Sequence, residues 1–203
     1  MMDDYQAVQD VYCYPETTVL RNKWNVSDAA KLAEIEDLYS RQRIAEIYAE
    51  HAVSGRKGFT HFKKIHQYIF QDVYNWAGKI RTVRVHKGTT TFSYPENIEA
   101  EAERIFGCLK EERFLRGLDK TQFVKRIAWY VAELNALHPF REGNGRTLRV
   151  FIWLVGIDAG WNLDFEEVDQ SKWLQACVFS FQGNNLLLEE LVDSIVSQIH
   201  NDK

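Results

Sequence analysis

Two apolar segments flanking one short polar stretch limit most strongly the folds open to this chain. Phe123, Ile127, Tyr130, Val131, Leu134 and Leu137 recur at three- and four-residue spacing, the mark of one buried helical face. A little further on, Leu148, Val150, Phe151, Ile152, Trp153, Leu154 and Val155 are apolar all round. A helix without a polar face must be enclosed by other helices, so the expected fold is mainly α, a helical bundle. Between the two segments runs His138-Pro-Phe-Arg-Glu-Gly-Asn-Gly-Arg-Thr-Leu-Arg149, the most chemically dense stretch of the chain.

The remaining elements follow from caps and periodicity. Residues 1–26 show neither helical nor alternating period and read as an arm on the surface. Ser27 is the expected N-cap of a helix reaching about Glu50, with Leu32, Ile35, Leu38, Ile44 and Ile47 on its apolar face. Thr60 is the expected cap of a second helix through Phe62, Ile65, Ile69 and Val73 to Trp76, ended by Gly78. From Ile80 to Tyr94 the texture alternates around Lys87-Gly88, which predicts one small β-hairpin. Further helices are expected over Asn97 to about Glu112, from an Asp119/Gln122 capping pair to Leu137, to Gly160 after the polar stretch, over Ser171 to about Phe181, and over Leu186 to about His200. No linker or repeat interrupts the chain, so residues 1–203 are expected to form a single domain.

Charge and composition narrow the function. At 203 residues and 45% hydrophobic content the chain can bury a substantial core, while a formal net charge of -4 supplies no basic field for a phosphate backbone. Direct nucleic-acid binding is therefore not expected. Cys13, Cys108 and Cys177 are widely spread, with no zinc spacing, and read as reduced thiols. The first residues are acidic where a signal peptide is basic, and no apolar run nears the roughly 18 residues a bilayer needs. No membrane partner and a cytoplasmic location are the expectation.

Within the polar stretch each residue type suits phosphate chemistry. The loop leads into a helix N-terminus, where free N–H groups and the dipole favour anions. Gly143 and Gly145 lack the β-carbons that would keep an oxyanion away and can adopt positive φ. Arg146 and Arg149 are three apart, so both guanidinium groups can bind phosphates from one side. Asn144 can donate an amide hydrogen, and Glu142 is a lone carboxylate of the kind that holds Mg2+ together with phosphate oxygens. His138, with an ordinary pKa of about 6.5, suits a general base. A P-loop is ruled out, because the lysine and the preceding strand are both missing.

Taken together, His138-Pro-Phe140-Arg-Glu142-Gly143-Asn144-Gly145-Arg146-Thr-Leu-Arg149 resembles the complete core motif of the Fic family. The likeness extends to Ile65-His66 through Phe70, to Asp72, Tyr74-Asn-Trp76-Ala77-Gly78 and Arg81, to Lys87-Gly88 and Phe92, and to Tyr14-Pro15 with Val19-Leu20. It implies a Fic-type helical bundle with a hairpin flap, and transfer of AMP from ATP, the co-substrate, to a Ser, Thr or Tyr hydroxyl of a target protein. By that resemblance His138 is the base and Glu142 the Mg2+ ligand. Asn144 with the Gly143 and Gly145 amides forms the α-phosphate hole, Phe140 anchors the loop, and Arg146 and Arg149 hold the β- and γ-phosphates. The flap, His86, Lys87, Gly88, Thr89, Thr90, Thr91, Phe92 and Ser93, would align the target segment by strand addition.

No Ser or Thr in this chain is followed four residues on by Glu, the pattern of the family's inhibitory helix. The chain therefore resembles the class inhibited by a separate small antitoxin, which makes it a candidate toxin, with subunits of gyrase or topoisomerase IV as candidate targets. Two other readings stay open at this point. One is a Doc-like protein kinase, whose relatives carry lysine where Gly145 stands; the other is a non-catalytic module that retains nucleotide and binds a partner through the hairpin.

Overall fold

The computed structural model describes residues 10–88 and 90–199. Helices dominate, with two small antiparallel β pairs, as the enclosed apolar segments require. The described residues fall into two compact units, one within 10–98 together with 139–147, the other within 99–138 together with 148–199.

In the first unit the described part of the arm, from Asp10, is ordered by Asn22. Its buried amide donates to the Leu20 and Val26 carbonyls and accepts from the Trp24 and Val26 amides. Tyr12 packs beside the cluster of Val83, Val85 and Phe92 and meets Trp76 edge-on. Helix α1 spans Ala29–Glu50, and its cap is Asp28 rather than Ser27: the Asp28 carboxylate takes the Lys31 amide at 2.8 Å. The expected apolar face of α1 is also shifted. Leu38 is 64% exposed, while Glu36 and Ser40 are buried beside Leu32 and Ile47. Arg43 fastens α1 to Asp72 at 2.7 Å.

Helix α2 spans Phe59–Phe70, starting at Gly58 without a side-chain cap instead of at Thr60, and ending six residues before Trp76. Tight turns onto the Phe70 carbonyl end it, and Gly78 serves another purpose. With φ +80 it brings its amide to His66, in a place where a β-carbon would lie 2.7 Å from the Gln67 Cβ. The expected hairpin is present, with its paired strands confined to β1, His86–Lys87, and β2, Thr90–Thr91, in the register His86 to Thr91 and Lys87 to Thr90. Gly88 turns with φ +56; Thr89 lies outside the described residues.

The second unit has an apolar core. Helix α3 (Ile98–Glu111) joins it, and α4 (Lys120–Leu137) starts at Asp119, whose carboxylate accepts the Gln122 amide. Phe123, Ile127, Tyr130, Val131, Leu134 and Leu137 are all buried, as their spacing predicts. Helix α5 (Asn144–Ala159) ends where Gly160 turns with φ +90. Helices α6 (Gln170–Ser180) and α7 (Leu186–Ile195) follow, and α7 stops short of the expected His200. There β4, Val196–Gln198, pairs with β3, Trp161–Leu163. The helical period continues in sequence past Ile195, but ladder bonds to a distant segment override it. Among the described residues no helix is long and apolar enough to cross a membrane. None of the three cysteines is in a disulfide, and burial together with the Asp10 contact pushes the Cys13 thiol up to about 11.

Candidate active site

The polar stretch begins at the C-terminal cap of α4. His138 is left-handed there, with φ 45 and ψ 58, and its amide closes the helix on the Leu134 carbonyl. Its ring lies against the helix end, Nδ1 being 3.1 Å from the Asn135 carbonyl. A carbonyl only accepts, so Nδ1 carries the proton and Nε2 is the basic nitrogen of the neutral ring. His138 is 5% exposed.

From Pro139 the chain belongs to the first unit. Phe140 is fully buried, stacked on His66 at 3.8 Å between ring centroids and on Phe62 at 5.6 Å. Asn144 fixes the loop from within. Its Oδ1 accepts the Phe140 amide at 2.9 Å and its Nδ2 donates to the Phe140 carbonyl at 2.8 Å. These bonds staple the loop, and because the amide nitrogen carries two hydrogens the staple is compatible with the phosphate-donor role expected of Asn144. Thr147, fully buried, donates its hydroxyl to the Gly143 carbonyl at 2.9 Å.

The two glycines do different work. Gly143 has φ +80, and a β-carbon there would lie 2.2 Å from the Phe70 ring, so its missing side chain makes room for a core aromatic. Gly145 faces open space within the first turn of α5, with nothing within 4 Å of the place a β-carbon would take. Glu142 bends back so that its Oε1 accepts the Gly143 amide at 2.7 Å and lies 3.6 Å from Arg146. Arg146 is engaged by Glu36 at 2.5 Å and Ser40 at 3.0 Å. Burial works against its charge, but the carboxylates of Glu36 and Glu142 outweigh that and hold the guanidinium ionised. Arg149, on α5 in the second unit, is half-buried.

Four residues to which the sequence assigns no role support the motif. His66 accepts the Gly78 amide at Nδ1, 2.8 Å away, so its proton sits on Nε2 and is donated to the Glu142 carbonyl at 2.9 Å. Burial, aided by the Arg146 charge, lowers its pKa to about 3, and the ring is neutral. Arg81, buried, gives its amide to the Pro139 carbonyl at 2.9 Å. Its guanidinium donates to Val83 at 2.7 Å and Ser93 at 2.5 Å, one on each leg of the flap. Arg141 pairs with Asp10, tying the arm to the motif. Burial raises the Asp10 carboxyl, but the Arg141 hydrogen bond and charge more than offset it and leave it below the ordinary range. Glu36 is the fourth. For His66 and Arg81 the resemblance to family positions was a signal in the sequence; Arg141 and Glu36 carried none, since their partners lie 131 and 110 residues away.

Of the flap residues, Phe92 is buried with Val83 and Val85, whereas Gly88 and Thr91 are exposed and His86, Lys87, Thr90 and Ser93 are half-buried. Phe92 thus anchors the hairpin while Gly88 and Thr91 stay accessible.

Residues 59–155 match the Fic/DOC family. The chain is 41% identical over 191 residues to the protein adenylyltransferase VbhT of Bartonella schoenbuchensis, covering 94% of this chain and 40% of that protein. It thus spans less than half the length of that relative. A probable protein adenylyltransferase of Sinorhizobium fredii is 42% identical over 89% of this chain and 92% of its own length. Among solved structures, the BepC protein of Bartonella tribocorum with bound AMPPNP superposes with a TM-score of 0.86 at 25% identity, covering 93% of this chain and 97% of that one.

Proposed function

The chain belongs to the Fic/DOC family, and from that premise we propose that it is a protein adenylyltransferase moving AMP from ATP to a Ser, Thr or Tyr hydroxyl of a target protein. The observation that carries the chemistry is the His138 tautomer. Asn135 takes the Nδ1 proton, so Nε2 is the nitrogen that accepts the proton of an incoming hydroxyl. That oxygen bonds to the α-phosphorus of ATP as the bond to pyrophosphate breaks. His138 is joined by one peptide bond to the stapled loop, whose open Gly145 and helix N-terminus supply backbone donors for phosphate.

Arg146 and Arg149 serve the β- and γ-phosphates. A lone carboxylate beside a phosphate cradle suits Mg2+, which takes few protein ligands and keeps several waters. Glu142 fits that description, since its carboxylate lies against the Gly143 amide immediately ahead of the N-terminus of α5. When bound, the metal would neutralise phosphate charge. The flap tip, His86 to Ser93, receives the target segment by strand addition, which imposes register through the main chain. Control comes in trans, from a small antitoxin carrying the inhibitory helix, and the chain acts in the bacterial cytoplasm as a toxin on gyrase or topoisomerase IV subunits.

Incubation with α-32P-ATP, Mg2+ and a bacterial lysate tests this reading. Label should appear on a lysate protein, and His138→Ala should reduce the rate by about a hundredfold or more. Label arriving only from γ-32P-ATP would make the chain a kinase; no label from either would leave a binding module.

A further inference from the structure

Helix α1 brings a polar strip to the motif, wholly within the first unit. Glu36 and Ser40 are one turn apart, 5% and 0% exposed. Glu36 gives Oε1 to Arg146 Nη2 at 2.5 Å and Oε2 to the Tyr74 hydroxyl. Ser40 takes Arg146 Nη1 at 3.0 Å, and the guanidinium carbon lies 4.7 Å over the Phe70 ring. Burial and the Glu36 charge push the Tyr74 phenol well above its ordinary range, so that hydroxyl remains a donor to Glu36.

A guanidinium has five N–H donors in a rigid fork, and α1 engages one on each terminal nitrogen. Fixing two prongs and one face of a planar group fixes the third direction as well. A phosphate that displaced Glu36 would strand a buried carboxylate with only a phenol as partner, which is strongly unfavourable. Arg146 therefore meets a nucleotide with Glu36 still attached.

We infer that Glu36 is a positioning residue for adenylyl transfer: through Arg146 it sets the direction in which the remaining guanidinium donors meet a nucleotide phosphate. The inference rests on the adenylyltransferase reading. Pre-set donors lower a barrier because they need no reorientation as charge develops, and small misplacement is costly.

A double-mutant cycle decides it, using the full chain. Glu36→Gln is nearly isosteric and keeps an acceptor for Arg146 while removing the charge. It should lower kcat for transfer from α-32P-ATP by about tenfold or more, and by less than about twofold in an Arg146→Ala background. Equal losses in both backgrounds, or no loss in either, would overturn the inference, and so would a faster Glu36→Gln enzyme, which would make Glu36 a competitor of phosphate. If the wild-type chain transfers no label, the functional reading fails by itself. The same cycle read on ADP affinity by calorimetry still judges Glu36, with coupling to Arg146 supporting its role and zero coupling refuting it. Should Glu36→Gln not fold, Tyr74→Phe enters the cycle in its place. Removing only the hydroxyl behind Glu36, it should cost about two- to threefold through Arg146, and no loss would count against the inference.

Discussion

Gly143 and Gly145 look interchangeable in a Gly-Asn-Gly run, yet the physics at the two positions is opposite. A β-carbon at Gly143 would have to adopt φ +80 and enter the Phe70 ring at 2.2 Å. The left-handed conformation and the overpacking together should cost roughly 2–4 kcal/mol. Gly145 lies in α5 with nothing within 4 Å of its absent β-carbon. Alanine there should stabilise the helix by up to about 1 kcal/mol while crowding the space proposed for phosphate. Urea unfolding and ADP calorimetry on the two variants should therefore move in opposite directions: Gly143→Ala loses stability, and Gly145→Ala keeps it but loses nucleotide affinity. A Gly145→Ala protein that binds ADP as well as the wild type would remove this glycine from the phosphate site.

The flap behaves as an element because one buried side chain holds both of its legs. The Arg81 guanidinium bridges the Val83 and Ser93 carbonyls, while its amide, which every substitution except proline retains, holds Pro139. Arg81→Lys keeps the charge and loses the fork. The expected outcome is a roughly tenfold fall in target labelling, with ATP affinity unchanged by calorimetry; a parallel fall in ATP affinity would show that the flap and the nucleotide loop cannot be separated. Elements of this kind mark how far sequence reaches. Helix α4 was legible from its local periodicity, α5 from an unbroken apolar run, and the motif because its residues are contiguous. The polar strip of α1 was not, because a buried Glu36 makes sense only beside Arg146, 110 residues away. Likewise β4 follows a helix in unbroken period, and only its pairing with Trp161–Leu163 turns it into a strand.

At the scale of the molecule, polarity is divided unequally. Among the described residues every buried polar or charged side chain except His138 belongs to the first unit, whereas the core of the second is apolar. Sensitivity to acid should therefore arise in the first unit, and His66 is its most exposed point in energetic terms. Its folded pKa is lowered to about 3 by burial, against about 6.5 when unfolded. Above pH 6.5 both states are neutral and the contribution is complete; as pH falls below that, the unfolded chain takes up a proton that the folded one refuses. Stability should thus decline by up to about 1.4 kcal/mol per pH unit between about 6.5 and 3. Asp10, depressed by Arg141, acts in the same direction but only below its unfolded pKa of about 4, and the difference between the wild type and a His66 variant over pH 5 to 7 separates His66 from the other buried histidines, His61 and His138. In His66→Gln, which retains polar atoms for Gly78 and Glu142 and titrates nowhere in that window, urea midpoints should be lower overall and less steep with pH than in the wild type. An equally steep slope in the variant would assign the acid sensitivity to another group. A flat profile in the wild type would mean that His66 is protonated in the fold, and then its Nδ1 could not accept the Gly78 amide that turns the chain back onto α2.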